Sequence, residues 1–155
     1  MGMMRRTLTG TAAAMVAAVA LVGLPALADD DKLKVEDSDD YGRYLTDADG
    51  RALYLFTADT QGQGGQPAAS ACYDTCADAW PPLVADDTPE VGDRLAEELV
   101  ETVDRRDGEQ QVSYAGWPLY YFVRDSDSGD VTGQGVESFG GVWHLVSPEG
   151  EPIDD

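Results

Sequence analysis

Methionine, histidine and cysteine are nearly absent from most of this chain. All four methionines fall within the first 28 residues, the one histidine is His144, and the two cysteines are Cys72 and Cys76. So little imidazole excludes a metal site built from many histidines, and one histidine does not define a catalytic triad. Neither a Gly-x-Ser-x-Gly elbow nor a phosphate-binding loop is present. Basic residues are scarce too, ten against thirty acidic ones, for a formal net charge of −20. Nucleic acid and anionic membrane surfaces both require a basic face, so this balance argues against either as a partner. The charge also favours a soluble monomer. A bilayer-spanning run needs roughly 20 apolar residues, and the apolar stretch from Ala12 to Leu24 is shorter.

That stretch has a different use. Arg5 and Arg6 precede it and Ala26-Leu27-Ala28 follows it, the order of a cleavable secretory signal. Residues 1–28 are therefore read as a signal peptide, cut before Asp29, with Arg5-Arg6 compatible with either the general or the twin-arginine route. No cysteine follows the apolar run, so no lipid anchor is expected. The remainder keeps eight bases and all thirty acids, a net charge of −22. Its expected place is the periplasm or the extracellular medium.

After the signal, residues 29–40 are acidic and poor in large apolar side chains, and read as a flexible lead-in. From Gly42 the pattern becomes that of short strands. Tyr44-Leu45 and Leu53-Tyr54-Leu55-Phe56 flank Asp49-Gly50, and Val100 to Val103 and Gln111 to Tyr114 flank Asp107-Gly108, two hairpin signatures. Leu119 to Val123 and Val142 to Val146 add two further strands. A short helix is expected from Cys72 to Trp80, stopped by Pro81-Pro82, and another from Asp93 to Leu99 with Asp93 as its cap. The fold class is thus mostly β: a small antiparallel sheet of repeated hairpins with one or two short helical segments. It forms a single domain over residues 41–150, followed by an acidic tail at 151–155.

Tyr54-Leu55-Phe56-Thr57-Ala58-Asp59 and Tyr120-Tyr121-Phe122-Val123-Arg124-Asp125 share one pattern: Tyr, any residue, an aromatic, two residues, Asp. Between them stand Cys72-Tyr73-Asp74-Thr75-Cys76 and Ala79-Trp80-Pro81-Pro82. This set resembles the bacterial secreted and lipoprotein repeat family named for its Yx(FWY)xxD motif. The resemblance spans about Tyr41 to Gly150 and implies an extracytoplasmic location without implying an activity. In a strand, Tyr54 and Phe56 share a face, as do Tyr120 and Phe122. The four rings are read as core, and Asp59 and Asp125 as acceptors for N–H groups of the following turns.

Cys72 and Cys76 carry the most suggestive chemistry. In an oxidising compartment such a pair closes into a disulfide, and one helical turn would set their Cα atoms about 6 Å apart, within reach of a bridge. The alternative keeps them as thiolates, in a thiol-redox site or with His144 as a soft ligand set for copper(I). Asp125, Asp127 and Asp130 partly resemble a calcium loop, but Gly129, Asp130 and Val136 stand where a ligand, glycine and glutamate belong. An acidic turn is the simpler reading. These residues together suggest a non-catalytic binding or structural module without a cofactor, with the copper or thiol-redox protein as the alternative.

Overall fold

The computed structural model describes residues 33–154, so the signal-peptide reading of residues 1–28 lies outside them. Eight short strands and one helix follow in chain order: β1 (Lys34–Ser38), β2 (Gly42–Thr46), β3 (Tyr54–Phe56), α1 (Thr75–Ala79), β4 (Val100–Asp104), β5 (Gln110–Tyr114), β6 (Trp117–Pro118), β7 (Glu137–Ser138) and β8 (Gly141–Leu145). All pairings between them are antiparallel. They form three small sheets, ordered β1-β2, β3-β8-β7 and β4-β5-β6. The mostly-β class read from the sequence is therefore the class observed. Among the described residues, no helix is long and apolar enough to cross a membrane.

Both anticipated hairpin turns form. Asp47 accepts the N–H groups of Asp49 and Arg51 and so folds the turn holding Gly50, whose φ of 85° suits glycine. Gly108 plays the same part between β4 and β5, at φ 92°.

Two expectations need correction. Residues 34–38 are not a loose lead-in but strand β1, paired along its whole length with β2, and Leu33 and Val35 are buried. Two inward apolar residues suffice to dock a strand whose outward face is acidic. At the other end of the described residues, the Ile153 N–H donates to Leu145 O and Val146 pairs with Pro152. The helix expected over Asp93 to Leu99 shrinks to one 3-10 turn at Glu97–Leu99. Ala96 is extended there, and its N–H goes to the Tyr114 hydroxyl at 3.2 Å instead of to a helical carbonyl.

The small sheets meet along a central seam. Tyr54 pairs with Leu145 on one side and with Tyr120 on the other, and Tyr120 pairs in turn with Pro82. Leu83 N–H to Leu119 O and Tyr121 N–H to Pro81 O extend that last pairing. The chain order across the seam is thus β8, β3, residues 119–121, residues 81–83. Side chains alternate across it. Tyr54, Phe56, Tyr120 and Phe122 enter an aromatic cluster with Trp80, Trp143 and both cysteines. Leu53, Leu55 and Leu119 enter an aliphatic cluster with Leu33, Leu45, Val100, Val112 and Val146. With both faces covered, the run from Leu53 to Phe56 is buried at every position.

Candidate functional site

The two motif copies hold each other. The Tyr54 hydroxyl donates to Asp125 Oδ2 at 2.6 Å, and the Tyr120 hydroxyl donates to Asp59 Oδ2 at 2.8 Å. Each motif's tyrosine thus engages the other motif's aspartate, around an approximate two-fold axis between Tyr54 and Tyr120. The remaining carboxylate oxygens secure the loops that follow. Asp59 Oδ1 accepts Ala71 N–H at 2.7 Å, whereas Asp125 Oδ1 accepts Thr132 N–H at 3.0 Å and the Thr132 hydroxyl at 2.5 Å. Each tyrosine oxygen has a second partner as well, Gly133 N–H for Tyr54 and Ser70 Oγ for Tyr120. Gly133 must be glycine for this approach, since a Cβ would lie 2.8 Å from the rings of Tyr54 and Trp80.

The rings obey the same axis. Phe56, Trp143, Trp80 and Phe122 stack in that order, with centroids 4.1, 4.0 and 4.0 Å apart. Tyr54 stands edge-on to Trp80 at 5.5 Å and Tyr120 edge-on to Trp143 at 5.1 Å, a geometry in which the ring edge meets the electron-rich face.

Burial governs the electrostatics. Asp59 is pushed up to about 6, chiefly because burial penalises its charge, while Ala71 N–H, the Tyr120 hydroxyl and Arg105 pull in the opposite direction. Burial, and then the adjoining aspartate, drives the Tyr54 and Tyr120 phenols far above the usual tyrosine range. Both hydroxyls therefore stay protonated donors. Arg105 is a buried cation beside this network. Its guanidinium donates to Ser70 Oγ, Gln111 Oε1, Cys72 O and Asp107, and it lies 4.4 Å from the centre of the Tyr73 ring. A guanidinium with every N–H directed at an acceptor can be buried without a stranded charge.

The cysteines are bonded to each other, with Cα atoms 5.2 Å apart, at the start of α1. Their sulfurs are accordingly spent, and His144 is not brought to them. His144 follows Trp143 in β8 and so points to the opposite face, where Nδ1 lies 3.0 Å from Ile153 O. The three aspartates of the calcium-like segment also diverge. Asp125 is buried against Tyr54, Asp127 is exposed, and Asp130 accepts Ser126 and Asp127 N–H groups as a turn cap. Among the described residues, no three His, Cys, Asp or Glu side chains are grouped closely enough to hold a metal ion.

Reasoning from sequence placed the six motif residues and missed their partners. Ser70, Thr132, Gly133 and Arg105 carry no local signature. Trp80 stood in the Trp-Pro-Pro block and Trp143 in the strand from Val142 to Val146, but neither was linked to the motif tyrosines.

The fold and site define a two-copy module whose copies complete one another's core. The sequence model of the Lipoprotein_15 family, described as a secreted repeat of unknown function, matches residues 36–84 and 101–147. The chain belongs to this family. No curated protein and no solved structure matches it. The first match runs from within β1 past α1 and the second from within β4 past β8, so each holds one motif tyrosine, one motif aspartate and one tryptophan of the ring stack.

Proposed function

We propose that the protein acts in the periplasm or the extracellular medium as a non-catalytic structural or binding module, monomeric and without a resident copper or calcium ion. The observation that supports this reading is the way the motif spends its polar groups. Each hydroxyl and each carboxylate of the motif is committed to the other copy or to a loop of the same core, so the motif works as architecture. The surface left for partners is acidic, and cations or basic proteins are the chemistry it attracts.

Fractionation of the producing cells tests the location, and metal analysis of protein purified without reductant or chelator tests the cofactor assignment. Stoichiometric copper with two alkylatable thiols would replace this reading with the thiolate alternative. Light scattering during size-exclusion chromatography tests the monomer.

A further inference from the structure

Downstream of residue 28 the chain is stripped of the side chains that oxidants attack first. It has no methionine there, and its two cysteines are bonded to each other. Oxidising equivalents are left with aromatic rings. The aromatic cluster sets Trp80 and Trp143 parallel at 4.0 Å, with Tyr54 against the first and Tyr120 against the second. A phenol loses an electron readily only when its proton leaves at the same time, because the radical cation left otherwise is a strong acid. Here each phenol already donates to a carboxylate, Asp125 or Asp59. Each carboxylate accepts its phenol on Oδ2 while a loop donor, Ala71 N–H or Thr132 N–H, holds Oδ1, so the oxygen facing the phenol is fixed in place and able to take a proton.

We propose that the Tyr54–Trp80–Trp143–Tyr120 column is a site of reversible one-electron oxidation. The oxidant is an outer-sphere acceptor of the radical class, such as the carbonate or nitrogen dioxide radical, and it is reduced by one electron taken from the tryptophan pair. The hole passes to Tyr54 or Tyr120: the phenolic O–H bond breaks, the electron restores the tryptophan, and the proton moves to Oδ2 of Asp125 or Asp59. The products are a neutral tyrosyl radical and a protonated aspartate. A one-electron reductant of the ascorbate class returns the electron, and the proton goes back from the carboxyl to the phenolic oxygen. Burial serves the chemistry, since all four rings are at most 1% exposed and two radicals cannot meet to couple. Asp59 suits its part because burial raises its proton affinity. The proposal adds an activity to the module and stands apart from the architectural reading of the motif.

The test oxidises the secreted protein with photogenerated tris(bipyridine)ruthenium(III) and follows it by freeze-quench electron paramagnetic resonance. Ring-deuterated tyrosine distinguishes tyrosyl from tryptophanyl signals without any mutation. The expected result is a tyrosyl signal with the reduced g-anisotropy of a hydrogen-bonded phenoxyl, erased by ascorbate without cross-linking. The double variant Tyr54→Phe/Tyr120→Phe should lose it, and Trp80→Phe or Trp143→Phe, which keeps a stacking ring, should slow its appearance. Wild-type protein decides the matter even if these variants do not fold. Peptide mass mapping should find the half-buried Tyr41, Tyr73, Tyr121 and Trp117 unmodified while the signal persists. Dityrosine-linked dimers, oxidation settling on those four rings, or an undiminished signal in a folded double variant would overturn the proposal.

Discussion

Tyr54 and Tyr120 exchange both of their main-chain hydrogen bonds, N–H to O at 2.9 Å in each direction. They are the first residues of the two motifs, so the motifs meet head to head and run antiparallel. This placement explains why a Tyr and an Asp five residues apart recur together: the strand pairing carries each hydroxyl past its own aspartate to the other one. The motif is a contact written once and used twice.

The first prediction concerns that contact. Removing the Tyr54 hydroxyl leaves a buried carboxylate short of a donor, a loss of about 1–3 kcal/mol for a charged acceptor. Tyr54→Phe and Asp125→Asn, singly and together, should therefore give non-additive losses in urea unfolding, because both single changes remove the same bond. Additive losses would place the two side chains in separate roles.

Phe56 and Phe122 close the two ends of the ring stack, and both are buried. Truncating a buried phenylalanine typically costs about 3–5 kcal/mol. Phe56→Ala and Phe122→Ala should each melt far below wild type or fail to fold, as read by near-ultraviolet circular dichroism, which reports on packed aromatic rings. Wild-type melting in both would mean that the rings are not core.

Acid should act on Asp59 in an unusual direction. The folded state holds this proton up to about pH 6, against an ordinary value of 3.8 in the unfolded chain. Folding is therefore favoured by protonation, and stability from this residue grows as the pH falls through 6 and levels off below the unfolded value. The gain is on the order of 2–3 kcal/mol. Denaturant titrations from neutral to mildly acidic pH should show the gain in wild type and its loss in Asp59→Asn. An equal gain in the variant would assign it to relief of general charge repulsion.

The Cys72–Cys76 bridge closes a very short loop, so its effect on the unfolded chain is modest, about 2 kcal/mol by loop-closure entropy. Unreduced, denatured protein should take up no alkylating reagent at either position. Reduction should lower the melting temperature while leaving the fold in place, because Arg105 still holds the Cys72 carbonyl. Two thiols labelled before reduction would contradict the bridge.

The local features of the fold were readable in the sequence. Asp49-Gly50 and Asp107-Gly108 mark real hairpin turns, and Pro81-Pro82 follows soon after α1, which ends at Ala79. Long-range features were not. Tyr54 and Asp125 are 71 residues apart and Tyr120 and Asp59 are 61 apart, and no periodicity spans such distances. Composition and spacing misled in two places. Asp37, Asp39 and Asp40 made residues 29–40 look solvated, although Leu33 and Val35 beneath them are buried. Around Asp93 to Leu99 the helical spacing of Leu95 and Leu99 served a turn followed by a single 3-10 turn, both packed on the aliphatic cluster.

The crossed pairing also sets an order of events. Tyr54 and Phe56 find their strand partners at Leu145 and Trp143, some ninety residues later in the chain. A polypeptide that is made and translocated from its N-terminus has the first repeat free well before those partners exist. That repeat has no complete core to collapse upon until β8 emerges, because half of its aromatic stack belongs to the second repeat. Folding of the aromatic core is thereby deferred until β8 has been made, and the two halves then close together. The Cys72–Cys76 bridge and the β1–β2 and β4–β5 hairpins, which are local, can form ahead of it.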